Sequence, residues 1–214
     1  MQENYQIERI LCKKRPKEKL ANEMMLWGKI MGDLRMVPYV EEKGWAGNIG
    51  FRENDTIWVT PSGGIIDDIK PDDLMGITKK GNKIVFFGDK EKKPTSEWEI
   101  YWIIFKKRPD INVILHGHDL FALETAKKLT EEYPKEVALT TKVTEAGSSE
   151  FRDDMLEIVT DTNTYLVGKE HGFFALGKTF EEAGKLALEF RSRANELMIG
   201  KGKYKELLDK YHIG

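Results

Sequence analysis

The segment spanning residues 47–89 constrains the fold more than any other part of the chain. Four short stretches rich in β-branched and aromatic residues lie within it, at 48–52, 56–60, 74–78 and 83–87. Turn-forming residues separate these stretches, among them Glu53-Asn54-Asp55 and Lys80-Gly81-Asn82. Because such short connections join antiparallel neighbours, the segment predicts an antiparallel meander.

Helical patterns lie on both sides of this segment. Before it, apolar residues at helical spacing predict a helix over 17–34 with one buried face. After it, Ser96 and Glu99 have the spacing of a capping box, in which each side chain accepts a hydrogen bond from the backbone of the other residue. This spacing predicts a helix over 97–107.

The rest of the chain alternates between strands and helices. Asp119 is the expected N-cap of a helix, and Thr179 with Glu182 has the spacing of a second capping box at the start of a long helix. The other predicted elements are strands at 112–115, 137–143, 164–167 and 173–176 and helices at 149–159 and 204–211. We expect one α/β domain over residues 1–214, a three-layer α/β/α domain with a mainly antiparallel central sheet.

Composition and charge argue against several kinds of partner. The 214 residues include 34 basic and 36 acidic side chains, a net charge of −2, which lacks the basic surplus typical of nucleic-acid binding. No apolar run approaches the roughly 18 residues of a membrane-spanning helix. The single cysteine, Cys12, cannot form an intrachain disulfide. We expect a cytoplasmic protein without nucleic-acid or membrane partners.

Two of the four histidines, His116 and His118, follow the apolar run Val113-Ile114-Leu115. Residues two apart on a strand point to the same face, so both imidazoles can approach one metal ion. A catalytic metal site commonly has three protein ligands and an open position, and His171, followed by Gly172, is the candidate third ligand. The alternative is that these are ordinary polar residues at strand ends; the pairing and the third histidine favour the metal site.

A series of short motifs resembles the class II aldolase and adducin superfamily. The motifs are Gly47-Asn48-Ile49-Gly50, Thr60-Pro61-Ser62-Gly63, Pro94-Thr95-Ser96-Glu97, Arg108-Pro109-Asp110-Ile111-Asn112, His116-Gly117-His118, Gly147-Ser148-Ser149-Glu150 and His171-Gly172. In order and spacing they are similar to the zinc-dependent sugar-phosphate aldolases of the L-fuculose-1-phosphate and L-rhamnulose-1-phosphate type. The resemblance implies a lyase that cleaves a phosphorylated ketose to dihydroxyacetone phosphate and a short hydroxyaldehyde.

The resemblance also implies roles for individual residues. His116, His118 and His171 would hold one Zn²⁺ ion, although imidazole ligands also accept Co²⁺, Mn²⁺ or Fe²⁺. Glu97 would be the catalytic acid/base. The implied phosphate pocket consists of Asn48, Ser62, Gly63, Thr95 and Ser96. A helix start and a glycine-containing turn both offer backbone donors suited to an anion. The superfamily further implies a homo-oligomer, usually a ring of four subunits.

Two alternatives stay open at this point. A sugar-phosphate dehydratase or epimerase would use the same site, although the related epimerases carry aspartate in place of Glu97. A non-catalytic, adducin-like interaction module is the other, and it has no need for three histidines and a glutamate. The chain also lacks the tyrosine-bearing insertion that supplies a proton donor in fuculose-type enzymes. We do not carry this role over to Tyr133. Tyr211 is expected to pack at a helix end, with a proton donor to a neighbouring site as the alternative, and His212 is expected to be an exposed tail residue.

Overall fold

A nine-stranded sheet lies at the centre of the described part of the chain. The computed structural model describes residues 6–12, 14–41, 44–89 and 91–211, so the prediction for His212 lies outside the described residues. The strands are β1 (Gln6–Leu11), β2 (Tyr39–Val40), β3 (Gly44–Trp45), β4 (Gly47–Glu53), β5 (Thr56–Val59), β6 (Met75–Lys80), β7 (Lys83–Gly88), β8 (Val113–Gly117), β9 (Val137–Leu139), β10 (Tyr165–Gly168) and β11 (Gly172–Gly177). Strands β2 and β3 form a separate two-stranded sheet.

The strand order of the large sheet is β1-β7-β6-β5-β4-β8-β11-β10-β9. Strands β4 to β7 are consecutive antiparallel neighbours, which confirms the predicted meander. Parallel pairing occurs at the two edges, where β1 pairs with β7 and β9 pairs with β10. The prediction of a mainly antiparallel sheet is therefore confirmed.

Helices cover both faces of this sheet. They are α1 (Glu18–Asp33), α2 (Trp98–Lys107), α3 (Leu120–Glu132), α4 (Ser149–Ile158), α5 (Phe180–Ile199) and α6 (Lys201–Lys210). Buried apolar residues form two clusters, to which α1, α3 and α5 contribute on one face and α2 and α4 on the other. The three-layer α/β/α architecture is confirmed. Within the described ranges, no helix combines the length and apolarity needed to cross a membrane.

Side-chain alternation along β8 decides the layer to which His116 points. Val113 and Leu115 belong to the cluster of α1, α3 and α5, whereas Ile114 belongs to that of α2 and α4. His116 has the same parity as Ile114 and stacks on Phe174 of the α2 and α4 cluster, with ring centroids 4.0 Å apart. Because side chains alternate between the two faces of a strand, His116 is buried beneath α2 and α4.

The capping box predicted at Ser96 and Glu99 is wrong. Glu97 is the N-cap of α2, and no side chain caps it. The Thr95 hydroxyl accepts a hydrogen bond from the backbone N–H of Glu97, so the residue before Ser96 holds the helix entry. Glu99 instead forms an ion pair with Arg152 of α4.

Two strand predictions also differ from the structure. Strand β1 is not indicated by the sequence pattern; all six of its residues are exposed, and it depends on a distant parallel partner. Strand β9 ends at Leu139 rather than continuing to residue 143. The reason is that the Asp154 carboxylate accepts hydrogen bonds from the backbone N–H groups of Thr141 and Lys142. These donors are therefore diverted from strand pairing.

The N-cap of α5 yields a prediction about stability. The Thr179 hydroxyl accepts a hydrogen bond from the backbone N–H of Glu182 at 3.1 Å, as the predicted capping box requires, whereas the Glu182 carboxylate accepts from Lys178 instead. Because Thr179 is exposed, Thr179→Ala removes little packing, and we expect it to lower the free energy of unfolding by about 1 kcal/mol. Urea denaturation measures the loss. Thr179→Ser keeps the oxygen and is the control; equal stability of both variants would contradict the cap.

Candidate metal and active site

His116 and His118 lie at the end of β8 with their rings side by side. The two Nε2 atoms are 3.1 Å apart, and the ring centroids are 4.9 Å apart. A residue outside the strand holds the backbone of His118, because the His118 N–H donates a hydrogen bond to the carbonyl oxygen of Met36 at 2.8 Å. The two imidazoles therefore lie on the same side of the strand end, as the sequence predicts.

The third histidine reaches the same place from the turn between β10 and β11. The backbone N–H of His171 donates to the carbonyl of Gly168 at 3.0 Å, and Glu170 has the positive φ of 56° that closes this tight turn. The His171 ring lies 4.7 Å from that of His118, centroid to centroid. One nitrogen from each of the three histidines lies within 4.8 Å of the other two, a separation that a single metal ion can bridge.

Glycine beside the histidines makes this approach possible. A Cβ atom on Gly172 would lie 2.6 Å from the carbonyl oxygen of Gly117 and 2.7 Å from Cε1 of His116. A Cβ on Gly117 would lie 2.5 Å from the carbonyl oxygen of Met36. Both positions therefore exclude a side chain, and this explains the glycine in each of the two motifs.

Glu97 faces the histidine cluster from the start of α2. Only 4% of its surface is exposed. One carboxylate oxygen lies 2.6 Å from Nε2 of His171, and the other lies 3.0 Å from Nε2 of His116. Burial by itself raises the pKa of Glu97, but attraction to His116 and His171 and hydrogen bonds with them outweigh burial and hold this pKa well below its usual range. The carboxyl group is therefore ionised at neutral pH.

The histidines have the chemistry of metal ligands. Nδ1 of His116 lies 2.7 Å from the carbonyl oxygen of Phe173, and this contact orients the ring with Nε2 facing the cluster. Burial, with repulsion from His116 and His171, lowers the pKa of His118 to about 3, so this ring is neutral at pH 7. Three imidazoles and a nearby carboxylate are a donor set that fits a divalent transition-metal ion.

Asn48 joins the cluster through strand pairing. It lies directly opposite His116 in the β4–β8 ladder, and its Nδ2 donates to Glu97 Oε2 at 2.7 Å. Its Oδ1 accepts a hydrogen bond from the Tyr101 hydroxyl at 2.6 Å. None of the sequence motifs singles out Tyr101, although a signal exists: Glu97 and Tyr101 are four residues apart and so share a helix face.

Two loops bring the other expected phosphate-binding residues together. The backbone N–H of Ser62 donates to Lys93 O at 2.8 Å, and that of Thr95 donates to Thr60 O at 3.1 Å. Ser62 and Gly63 therefore lie next to the segment that leads to Glu97, along a cavity of about 260 Å³. The Ser62 hydroxyl and the Gly63 N–H take no part in these bonds.

Thr95 and Ser96, which are also expected at the phosphate pocket, directly precede Glu97. The Thr95 hydroxyl oxygen accepts a hydrogen bond from the backbone N–H of Glu97. The Ser96 side chain is exposed and lies beside Gly147, where a Cβ would be 2.9 Å from that of Ser96. Asn48, Thr95 and Ser96 therefore adjoin Glu97, whereas Ser62 and Gly63 lie on the neighbouring loop, along the cavity described above.

Phe151 is an aromatic neighbour of the histidine cluster, whereas Tyr133 and Tyr211 are not. The Phe151 ring of α4 lies 4.4 Å from that of His171, a contact that the sequence analysis missed. Tyr133 instead packs at 5.7 Å against Phe190 of α5, in the layer on the other side of the sheet. Tyr211 has 60% of its surface exposed. Neither tyrosine contacts the histidine cluster in the described structure.

Known proteins are similar to this chain in both sequence and fold. A family model described as the class II aldolase and adducin N-terminal domain matches residues 23–197. An L-fuculose phosphate aldolase of Methanocaldococcus jannaschii is 33% identical over 148 residues, which are 65% of this chain and 77% of the relative. A 5-methylthioribulose-1-phosphate/5-deoxyribulose-1-phosphate aldolase of Rhodospirillum rubrum is 30% identical over 166 residues, covering 72% and 71% of the two chains.

Solved structures agree at the level of the fold. A sugar-phosphate aldolase from Thermotoga maritima superimposes with a TM-score of 0.69 at 18% identity, covering 84% of this chain and 94% of its own. An L-fuculose-1-phosphate aldolase from Thermus thermophilus gives 0.64 at 17% identity, with coverages of 91% and 97%. The family match extends over most of the chain, and the chain therefore belongs to the class II aldolase and adducin N-terminal domain family.

Proposed function

We propose that this protein is a metal-dependent aldolase that cleaves a phosphorylated ketose to dihydroxyacetone phosphate and a short hydroxyaldehyde. One observation carries the proposal: three imidazole nitrogens, two at the end of β8 and one from the β10–β11 turn, lie within 4.8 Å of one another, with the Glu97 carboxylate 2.6 and 3.0 Å from two of them. An interaction module has no need for a buried carboxylate and three convergent imidazoles, whereas carbon–carbon bond cleavage needs both an electron sink and a base.

In this proposal each group has a distinct task. His116, His118 and His171 hold a divalent ion, Zn²⁺ in the first instance, which when bound polarises the ketose carbonyl. Glu97 moves a proton at the carbon next to that carbonyl, as an ionised base beside histidines that contact the Phe151 and Phe174 rings.

The phosphate group has its own expected partners. Asn48, Thr95 and Ser96 lie beside Glu97, and Ser62 and Gly63 lie on the neighbouring loop. Both relatives described above carry the names of aldolases for phosphorylated ketoses, which supports this substrate class for the present chain. The proposal also includes a cytoplasmic location, on the ground of the single cysteine, and a homotetramer, by family resemblance.

The proposal is tested with the purified full-length chain. Elemental analysis determines the bound metal, and a panel of ketose 1-phosphates is assayed by enzymatic detection of dihydroxyacetone phosphate, with the unphosphorylated ketoses as controls. We expect turnover only of phosphorylated substrates, its loss on chelation and its recovery when Zn²⁺ or Co²⁺ is added. NMR of the products shows whether the carbon skeleton is divided.

Other outcomes would contradict the proposal. An unbroken carbon skeleton with an inverted centre would identify an epimerase, and loss of water would identify a dehydratase. Absence of bound divalent metal together with no turnover of any ketose 1-phosphate would remove the aldolase assignment. Light scattering after size-exclusion chromatography determines the number of subunits independently of the reaction.

A further inference from the structure

Tyr101 is a fully buried tyrosine whose hydroxyl is directed at the candidate site. None of its surface is exposed, and its hydroxyl lies 2.6 Å from Oδ1 and 3.1 Å from the backbone carbonyl oxygen of Asn48. The ring occupies space that Gly50 leaves open on β4, since a Cβ there would lie 2.4 Å from a ring carbon. The strand and the helix thus accommodate a tyrosine at this position.

The contact determines which way the Asn48 amide faces. An amide has an accepting oxygen at one end and two donating N–H groups at the other. A hydroxyl that donates to Oδ1 holds the oxygen on the side of Tyr101 and turns the NH₂ group towards Glu97, whose Oε2 lies 2.7 Å from Nδ2. Rotation of the amide by half a turn would place its oxygen against the ionised carboxylate, which is unfavourable.

Tyr101 remains a donor under all ordinary conditions. Burial, together with the negative charge of Glu97, raises the pKa of its phenol well above 10, so the hydroxyl keeps its proton. The carboxylate uses one N–H of Asn48, and the amide has a second that can serve the phosphate of a substrate. The orientation of one amide therefore connects the expected base with the expected phosphate pocket.

We propose that Tyr101 is a positioning residue, which fixes the Asn48 amide with its NH₂ group towards Glu97 and thereby holds the carboxylate against the histidine cluster. The effect on the reaction rests on the aldolase activity proposed above, whereas the orientation of the amide does not. Helix α2 makes both contacts from one face, because Tyr101 follows Glu97 by four residues. Tyr101 acts through Asn48 and needs no contact with substrate.

Tyr101→Phe is the direct test, since it removes one oxygen and keeps the ring. Tyr165→Phe is the matched control: Tyr165 is equally buried, and its hydroxyl has no hydrogen-bond partner among the residues that the structure describes. We expect kcat of Tyr101→Phe to fall about 10-fold or more, as is usual for loss of a supporting residue, with a smaller change in KM and unchanged bound metal. Tyr165→Phe should match the wild type.

A spectroscopic measurement tests the placement without any substrate. The side-chain amide signals of Asn48 in ¹H–¹⁵N correlation spectra are assigned through their loss in Asn48→Ser. We expect Tyr101→Phe to shift or split these signals and Tyr165→Phe to leave them in place. If Tyr101→Phe keeps either the wild-type kcat or the wild-type amide signals, the positioning role is overturned. If the wild type cleaves no ketose phosphate, the proposed function fails and the amide signals alone decide the placement.

Two further measurements keep the proposal testable if Tyr101→Phe does not fold. In the double variant Tyr101→Phe/Asn48→Ser, activity should fall no further than in Asn48→Ser alone, because both changes break the same connection. Additive losses would overturn the proposal. A crystal structure of the wild type should place the Tyr101 hydroxyl within hydrogen-bonding distance of Asn48 Oδ1, and a separation above about 3.5 Å would also overturn it.

Discussion

Replacement of His171 by alanine is expected to remove the bound metal and with it the activity. The change deletes the one ligand that comes from the β10–β11 turn and leaves His116 and His118 as a pair. Loss of a residue that only supports a ligand costs roughly 10–100-fold in metal affinity or activity, and loss of a ligand itself should exceed that range. Titration with Zn²⁺ or Co²⁺ measures the affinity, and the product assay measures the rate.

The matched control for this variant is Lys169→Ala. Lys169 lies in the same turn with an exposed side chain, and its structural contribution is a backbone N–H that donates to the Thr140 hydroxyl at 2.7 Å. Metal affinity and activity should therefore stay at the wild-type level. Stoichiometric, tight metal binding in His171→Ala would show that the metal is held elsewhere and would end the three-histidine proposal.

The Glu97→Gln variant is expected to bind the metal but to lose most of its catalytic activity. Glutamine has the same shape and retains hydrogen-bonding atoms, so the fold and the three histidines should stay in place. It cannot take up a proton at neutral pH, whereas the lowered pKa of Glu97 keeps that carboxylate ionised. Because a positioned general acid or base commonly contributes 10²–10⁴-fold, we expect kcat to fall by about that factor. Steady-state kinetics with the metal-loaded variant measures the change.

Glu99→Gln provides the comparison on the same helix. Glu99 points to Arg152 of α4 rather than to the histidines, in a partly exposed ion pair. Such pairs contribute about 0–1 kcal/mol to stability and nothing to the reaction, so kcat should not change. A Glu97→Gln enzyme with a kcat close to that of the wild type would assign the proton transfer to another group.

Local sequence signals predicted the elements whose hydrogen bonds close within a few residues. Asp119 accepts from the backbone N–H of Phe121, and Thr179 accepts from that of Glu182, each as the sequence indicated. The hairpins of β4 with β5 and of β6 with β7 followed from short turns, and the shared direction of His116 and His118 followed from the period of a strand. All these features depend on geometry that repeats within a few residues.

Only the tertiary structure decided the contacts between distant segments. The parallel pairing of β1 with β7 has no local signal, and Thr95 took over the helix entry that Ser96 was expected to cap. The contact of His171 with Glu97 joins residues 74 positions apart, and that of Asn48 with Glu97 joins residues 49 apart. Residue types indicated that such groups belong to one site. Their distances, the engagement of the Asn48 amide and the role of Tyr101 arise where the sheet and α2 meet, because a side chain selects its partner by packing in space.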